Sequence, residues 1–127
     1  MTAKLIIYWI TTVLVSVMMA MAAFMYLTHA PKAVEGFSSL GYPAYFATIL
    51  GVFKLLGAIA LLAPGYALLK EWAYAGFTFT FIGACASHLA MGQGKEAVSP
   101  VIALVLLAIS YLLRPATRRI AAAPPAL

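Results

Sequence analysis

The chain has 127 residues, 65% of them hydrophobic and only 9% charged, a balance that argues against a soluble domain of this size. Its net charge of +5 is spread over loops and ends, so it does not point to nucleic acid as a partner and reads instead as an orientation signal. One cysteine, Cys85, allows no disulfide and no dithiol redox pair within a single chain.

The first apolar run, Leu5–Leu27, contains no charge and is long enough to span a bilayer. Ala20-Met21-Ala22 matches a small-x-small cleavage pattern, but the run stays apolar past it, so the segment is expected to be retained as a helix. Thr12, Ser16, Ala20 and Ala23 recur at helical spacing and predict a face that another helix approaches closely. The loop Thr28–Tyr42 is long, and its Pro31–Leu40 stretch suits a short amphipathic helix at the membrane surface. Glu35 is the acid in it most free to fold back on the bundle, although a solvated carboxylate is the commoner outcome.

The second helix is predicted over residues 43–63 and ends at Pro64-Gly65. Its apolar run Ala44–Ala63 is 20 residues long, roughly 30 Å at about 1.5 Å rise per residue, one hydrocarbon thickness. Lys54 sits near its middle. A cation there costs about 2.5–3.5 kcal/mol on an insertion scale, which makes it a functional candidate by default. Ala47, Gly51, Lys54, Ala58 and Leu61 share one face, so Lys54 is expected to point into the bundle.

The third helix is predicted over 72–91. Ala73, Gly76, Thr80, Gly83 and Ser87 share a face, with His88 beside it, the most polar stripe in the chain. Close helix packing is the first expectation for such a stripe. Cys85 points away from it and reads as a small hydrophobe. After the loop Gly92–Ala97, a fourth helix is predicted over 98–113, roughly 24 Å long, a slight shortfall that snorkelling by Arg114 or local bilayer thinning can absorb. Residues 1–114 thus form one transmembrane domain, and 115–127 are expected as a weakly ordered tail. With four crossings, Lys4, Lys70, Arg114, Arg118 and Arg119 share the side of both termini, against Lys32 and Lys95 on the other. That asymmetry predicts cytoplasmic termini.

Leu40-Gly41-Tyr42-Pro43-Ala44-Tyr45-Phe46, Gly51-Val52-Phe53-Lys54-Leu55-Leu56-Gly57-Ala58, Lys70-Glu71-Trp72-Ala73-Tyr74-Ala75-Gly76-Phe77 and Ser87-His88-Leu89-Ala90 together resemble the DoxX-like family of small bacterial membrane proteins. So do Tyr8-Trp9 and Ser110-Tyr111-Leu112-Leu113-Arg114-Pro115. The resemblance implies an all-α, four-transmembrane-helix bundle in the bacterial cytoplasmic (inner) membrane. It carries no agreed catalytic motif, and the wider group ranges from subunits associated with thiosulfate:quinone oxidoreductase to proteins that assist receptor assembly. Where the resembled family often has an acid in the third helix, this chain has Thr80, so a midplane ion pair with Lys54 is missing.

The expected function is a binding or accessory one. Lys54, Thr80, Ser87, His88 and Glu35 are the candidate ligand-binding residues, for a small lipophilic molecule such as a quinone or a lipid headgroup, or for a docked membrane-protein partner. The small-residue faces can serve a homo-oligomer or be satisfied within one four-helix bundle. The alternatives are a quinone-linked oxidoreductase subunit that depends on a partner, and a purely structural or assembly role in which Lys54 locks packing. No cofactor and no metal site is expected, and the balance goes against an enzyme.

Overall fold

The computed structural model describes residues 2–121, and among these it is all-helical. The helices are α1 (Ala3–Leu27), α2 (Pro31–Ser39), α3 (Ala44–Leu62), α4 (Ala67–Ala90) and α5 (Val98–Leu112). A single 3-10 turn follows at Ala116–Arg118. The four long helices pack in a ring: α1 lies against α3 and α5, and α4 closes the ring against α5 and α3. The short α2 lies across the end of α3 and α1.

Local chemistry sets the boundaries. Thr2 caps α1 by accepting from the Leu5 N–H through its hydroxyl, at 3.2 Å. Pro31 opens α2, where its missing N–H is harmless. Gly92 ends α4 with a positive φ of 70°, and the Gln93 N–H then reaches back to the His88 carbonyl at 2.7 Å. Between α3 and α4 the chain turns through Pro64, Gly65 and Tyr66, and Tyr66 takes a left-handed φ of 54°.

α4 begins at Ala67, five residues before the predicted start at 72. The reason is Lys70. Read as a loop cation, it is instead a buried residue of the helix's first turn, only 1% exposed. Its ammonium donates to the Ala63 carbonyl and, at 2.6 Å, to the Gly65 carbonyl, so it fastens the new helix onto the turn it leaves. Arg118 works at the same place. Its Nη2 donates to the Leu61 and Ala63 carbonyls at 2.7 and 3.2 Å, its Nε donates to the Tyr8 hydroxyl at 2.6 Å, and its guanidinium covers the Trp9 ring at 4.7 Å. The last carbonyls of a helix lack intrahelical partners and carry partial negative charge. Two cations satisfy them here. The expectation of a weakly ordered tail therefore does not extend to Arg118; residues 122–127 of that tail lie outside the described residues.

The core is apolar, with one hydroxyl cluster. Val15, Met19, Ala58, Leu61, Tyr74, Phe77, Phe81, Ala103 and Leu107 pack together, and the Phe77 and Phe81 rings stack at 5.9 Å. Thr12 and Tyr74 each meet Ser110, at 2.6 and 2.7 Å, tying α1, α4 and α5 through buried hydroxyls. Of the small-residue face predicted on α1, Thr12, Ser16 and Ala23 are buried, while Ala20 is exposed and Met19 takes the inward place. On α3 the buried residues are Ala47, Gly51, Lys54, Ala58 and Leu61, the face read from the sequence.

The exterior of the long helices is largely apolar. Ile10, Phe24, Phe53, Ile59, Phe79 and Ile102 are among many large side chains left exposed on the long helices. α1 and α3 are long and apolar enough to cross a membrane. α5 is apolar but has only 15 residues, and α4 carries Thr80, Ser87 and His88.

Candidate functional site

The site lies where α3 and α4 diverge. Near the middle of α3, Lys54 is 7% exposed. Its ammonium donates to the Met19 thioether at 3.3 Å and sits over the Tyr26 and Phe81 rings, 5.5 and 5.7 Å from their centroids. Sulfur is a weak acceptor and aromatic faces are soft partners. No carboxylate or carbonyl among the described residues bonds this nitrogen; the acid–base pair that does form, Arg114 with Glu71, belongs to the far end of α4.

Two cavities open between α3 and α4, and Lys54, Leu50 and Thr80 line both. One, about 620 Å³, runs towards the α3–α4 turn between Gly57, Ala60, Tyr66, Trp72 and Gly76. The other, about 530 Å³, runs towards α2 between Tyr26, Phe37, Tyr42, Ser87 and His88, with Lys32 at its edge. Both volumes lie within the range of small-molecule sites. The two together form a groove along the bundle with the ammonium at its waist.

The small-residue stripe of α4 makes that space. The stripe was expected to mark close packing, but an added methyl at Gly76 or Gly83 would meet nothing within 4 Å. Close approach happens instead at Gly57 of α3, where such a methyl would lie 2.5 Å from the Phe77 ring. The buried face of α4 is Lys70, Tyr74, Phe77 and Phe81, so the polar stripe turns to the groove.

Four of the five residues singled out in the sequence meet here. Lys54, Thr80, Ser87 and His88 line the α2-side cavity. Thr80 donates its hydroxyl proton to the Gly76 carbonyl at 2.7 Å, which leaves the oxygen as an acceptor. Ser87 and the Tyr42 hydroxyl share a hydrogen bond of 2.7 Å. His88 Nδ1 lies 2.8 Å from the Gln93 amide oxygen, and Gln93 Nε2 donates to Ser39 Oγ at 3.3 Å. These bonds tie α2 and the Gly92–Ala97 loop over the cavity's end. Glu35 is the exception: it is exposed on α2 and lines neither cavity, because the inward face of α2 is taken by Ala33 and Phe37. Cys85 is half-buried away from the groove, its thiol 3.6 Å from the Ala97 carbonyl. Sequence reasoning missed Tyr42, Gln93, Trp72 and Lys32, whose roles depend on how α2 folds over the bundle and how α3 and α4 separate.

A helical bundle with an apolar exterior and a buried, acid-free cation is of the membrane-protein class. The chain belongs to the DoxX-like family, whose family model matches residues 10–110. Compared with curated proteins and with solved structures, it matches none.

Proposed function

We propose that this DoxX-like protein is a multi-pass protein of the bacterial inner membrane that holds a lipophilic ligand, headgroup at Lys54, in the groove between α3 and α4. In this reading α1, α3, α4 and α5 each cross the bilayer, and α2 lies at the outer surface. Both termini face the cytoplasm, where Lys4, Lys70, Arg114, Arg118 and Arg119 gather. The observation that carries the reading is the waist of the groove. A buried ammonium with no oxygen partner among the described residues lines two cavities whose other walls are mostly apolar. An intramembrane charge left in that state is suited to a ligand's polar atom. Thr80 offers an acceptor oxygen beside the ammonium, Ser87 and His88 add polar groups further along the α2-side cavity, and the apolar walls hold the tail.

A purely structural Lys54 is the competing reading, and thermal unfolding in non-ionic detergent separates the two. A decyl-substituted benzoquinone or a long-chain lipid is expected to raise the melting temperature of the wild-type protein in a saturable way. Lys54→Met should keep the fold and lose that rise. An unliganded Lys54→Met protein that melts well below wild type, with any ligand-induced rise unchanged, would assign Lys54 to packing.

A further inference from the structure

The charge around the groove narrows the ligand class, on the reading that the groove binds an amphiphile at Lys54. We propose that the natural occupant is a long-chain carboxylate, an anionic single-chain lipid whose head pairs with Lys54 and whose tail lies in the cavity beside Trp72. The two cavities present Lys32, Lys54 and His88 and no Asp or Glu among their lining residues. Glu35 is the acid nearest in sequence to that end, and it stands outside the cavity, exposed. Acids that would repel an anion are therefore missing, and the bases that would draw one in are present. A neutral headgroup would leave the ammonium's charge uncompensated, whereas a carboxylate compensates it and makes charge-assisted hydrogen bonds.

The shape agrees with the charge. From Lys54 to Ala63 the α3 wall runs about 14 Å at helical rise, lined on the opposite side by Trp72, Gly76 and Phe77. That is a slot for a tail. Thr80 stands at the head position as an acceptor only, because its proton is given to Gly76. It suits a protonated neighbour such as the Lys54 ammonium rather than the anion itself, so the carboxylate's direct contact falls to Lys54, with Lys32 and His88 further along the α2-side cavity adding to the positive potential.

Trp72 supplies the readout, since it lines the tail cavity. A Trp9→Phe protein, with Trp72 as its one tryptophan, is held in non-ionic detergent and titrated with terminally brominated dodecanoate. The matching brominated dodecanol and a decyl-substituted benzoquinone are titrated in parallel. Bromine quenches tryptophan on contact. The carboxylate is expected to quench Trp72 saturably and to bind about tenfold or more tightly than the alcohol. Lys54→Met should remove that preference. Gly76→Phe, which fills the tail slot without touching the charge, should weaken all three ligands. Equal binding of acid and alcohol that is still lost in Lys54→Met overturns the carboxylate assignment and leaves amphiphile binding standing. Non-saturable quenching by every ligand overturns both.

Discussion

The buried Lys54 amine is met only by one sulfur and two aromatic faces. Such a group costs stability and is kept for another reason. Methionine has nearly the same length and no charge, so unliganded Lys54→Met is expected to be as stable as wild type or up to about 2 kcal/mol more stable, checked by chemical or thermal unfolding. A clear loss would mean that the ammonium is a packing element. Lys54 was legible in the sequence because one ionisable residue in an otherwise apolar 20-residue run has no bland spacing to hide in. Its face was legible too, because Ala47, Gly51 and Ala58 are too small for a lipid-facing surface to need them. Arg118 was not. A basic residue between Thr117 and Arg119 in a tail looks the same whether it is solvated or folded back onto carbonyls more than fifty positions away. The structure places it on Leu61, Ala63 and Tyr8. Arg118→Ala is expected to cost about 2–3 kcal/mol, since it strips charged hydrogen bonds from buried acceptors; Arg118→Lys should recover part of it.

Glycine divides α3 and α4 into a tight part and an open part. At Gly57 the Phe77 ring presses on the backbone, so Gly57→Ala overpacks the interface and should lower stability by about 1–3 kcal/mol. At Gly76 the same substitution meets open space and gains helix propensity, so it should be neutral or raise stability by up to about 1 kcal/mol. Equal losses at both positions would mean that the groove is closed. The stripe Ala73, Gly76, Thr80, Gly83 and Ser87 could not disclose this from sequence. Small residues allow either a neighbouring helix or a ligand to approach, and the periodicity is the same in both cases. The choice was made by Tyr74, Phe77 and Phe81, whose larger rings fill the core and turn the small face outward. The early start of α4 has a similar origin: Lys70 gains two carbonyls by joining the helix, and nothing in its own sequence neighbourhood shows those acceptors.

At the level of the whole bundle, the ring of α1, α3, α4 and α5 brings the start of α1, the end of α3 and the segment after α5 to one end, as the Arg118 bonds to Tyr8 and Leu61 require. Five of the eight lysines and arginines, Lys4, Lys70, Arg114, Arg118 and Arg119, belong to that end, and the proposed orientation follows. A fluorescent protein that matures only in the cytoplasm, fused after Leu127, should fluoresce, and an alkaline phosphatase at the same point should be inactive; the reverse pattern would invert the topology. The ring is also why the groove exists. α1 binds α3 closely over much of its length, α5 is clasped by hydroxyls, and α3 and α4 separate around Lys54. The number and order of long helices were largely legible from apolar runs and Pro-Gly turns. The site was legible only as a list of polar residues; the space between them was not, because a cavity is made by what two helices fail to fill.

Native mass spectrometry of protein taken directly from its membrane is the most direct test of the central claim. Wild-type protein is expected to carry a retained amphiphile of discrete mass that activation releases, and folded Lys54→Met, prepared in parallel, is expected to lack it. An adduct retained equally by both proteins, or none on either, would contradict a ligand held by the buried ammonium.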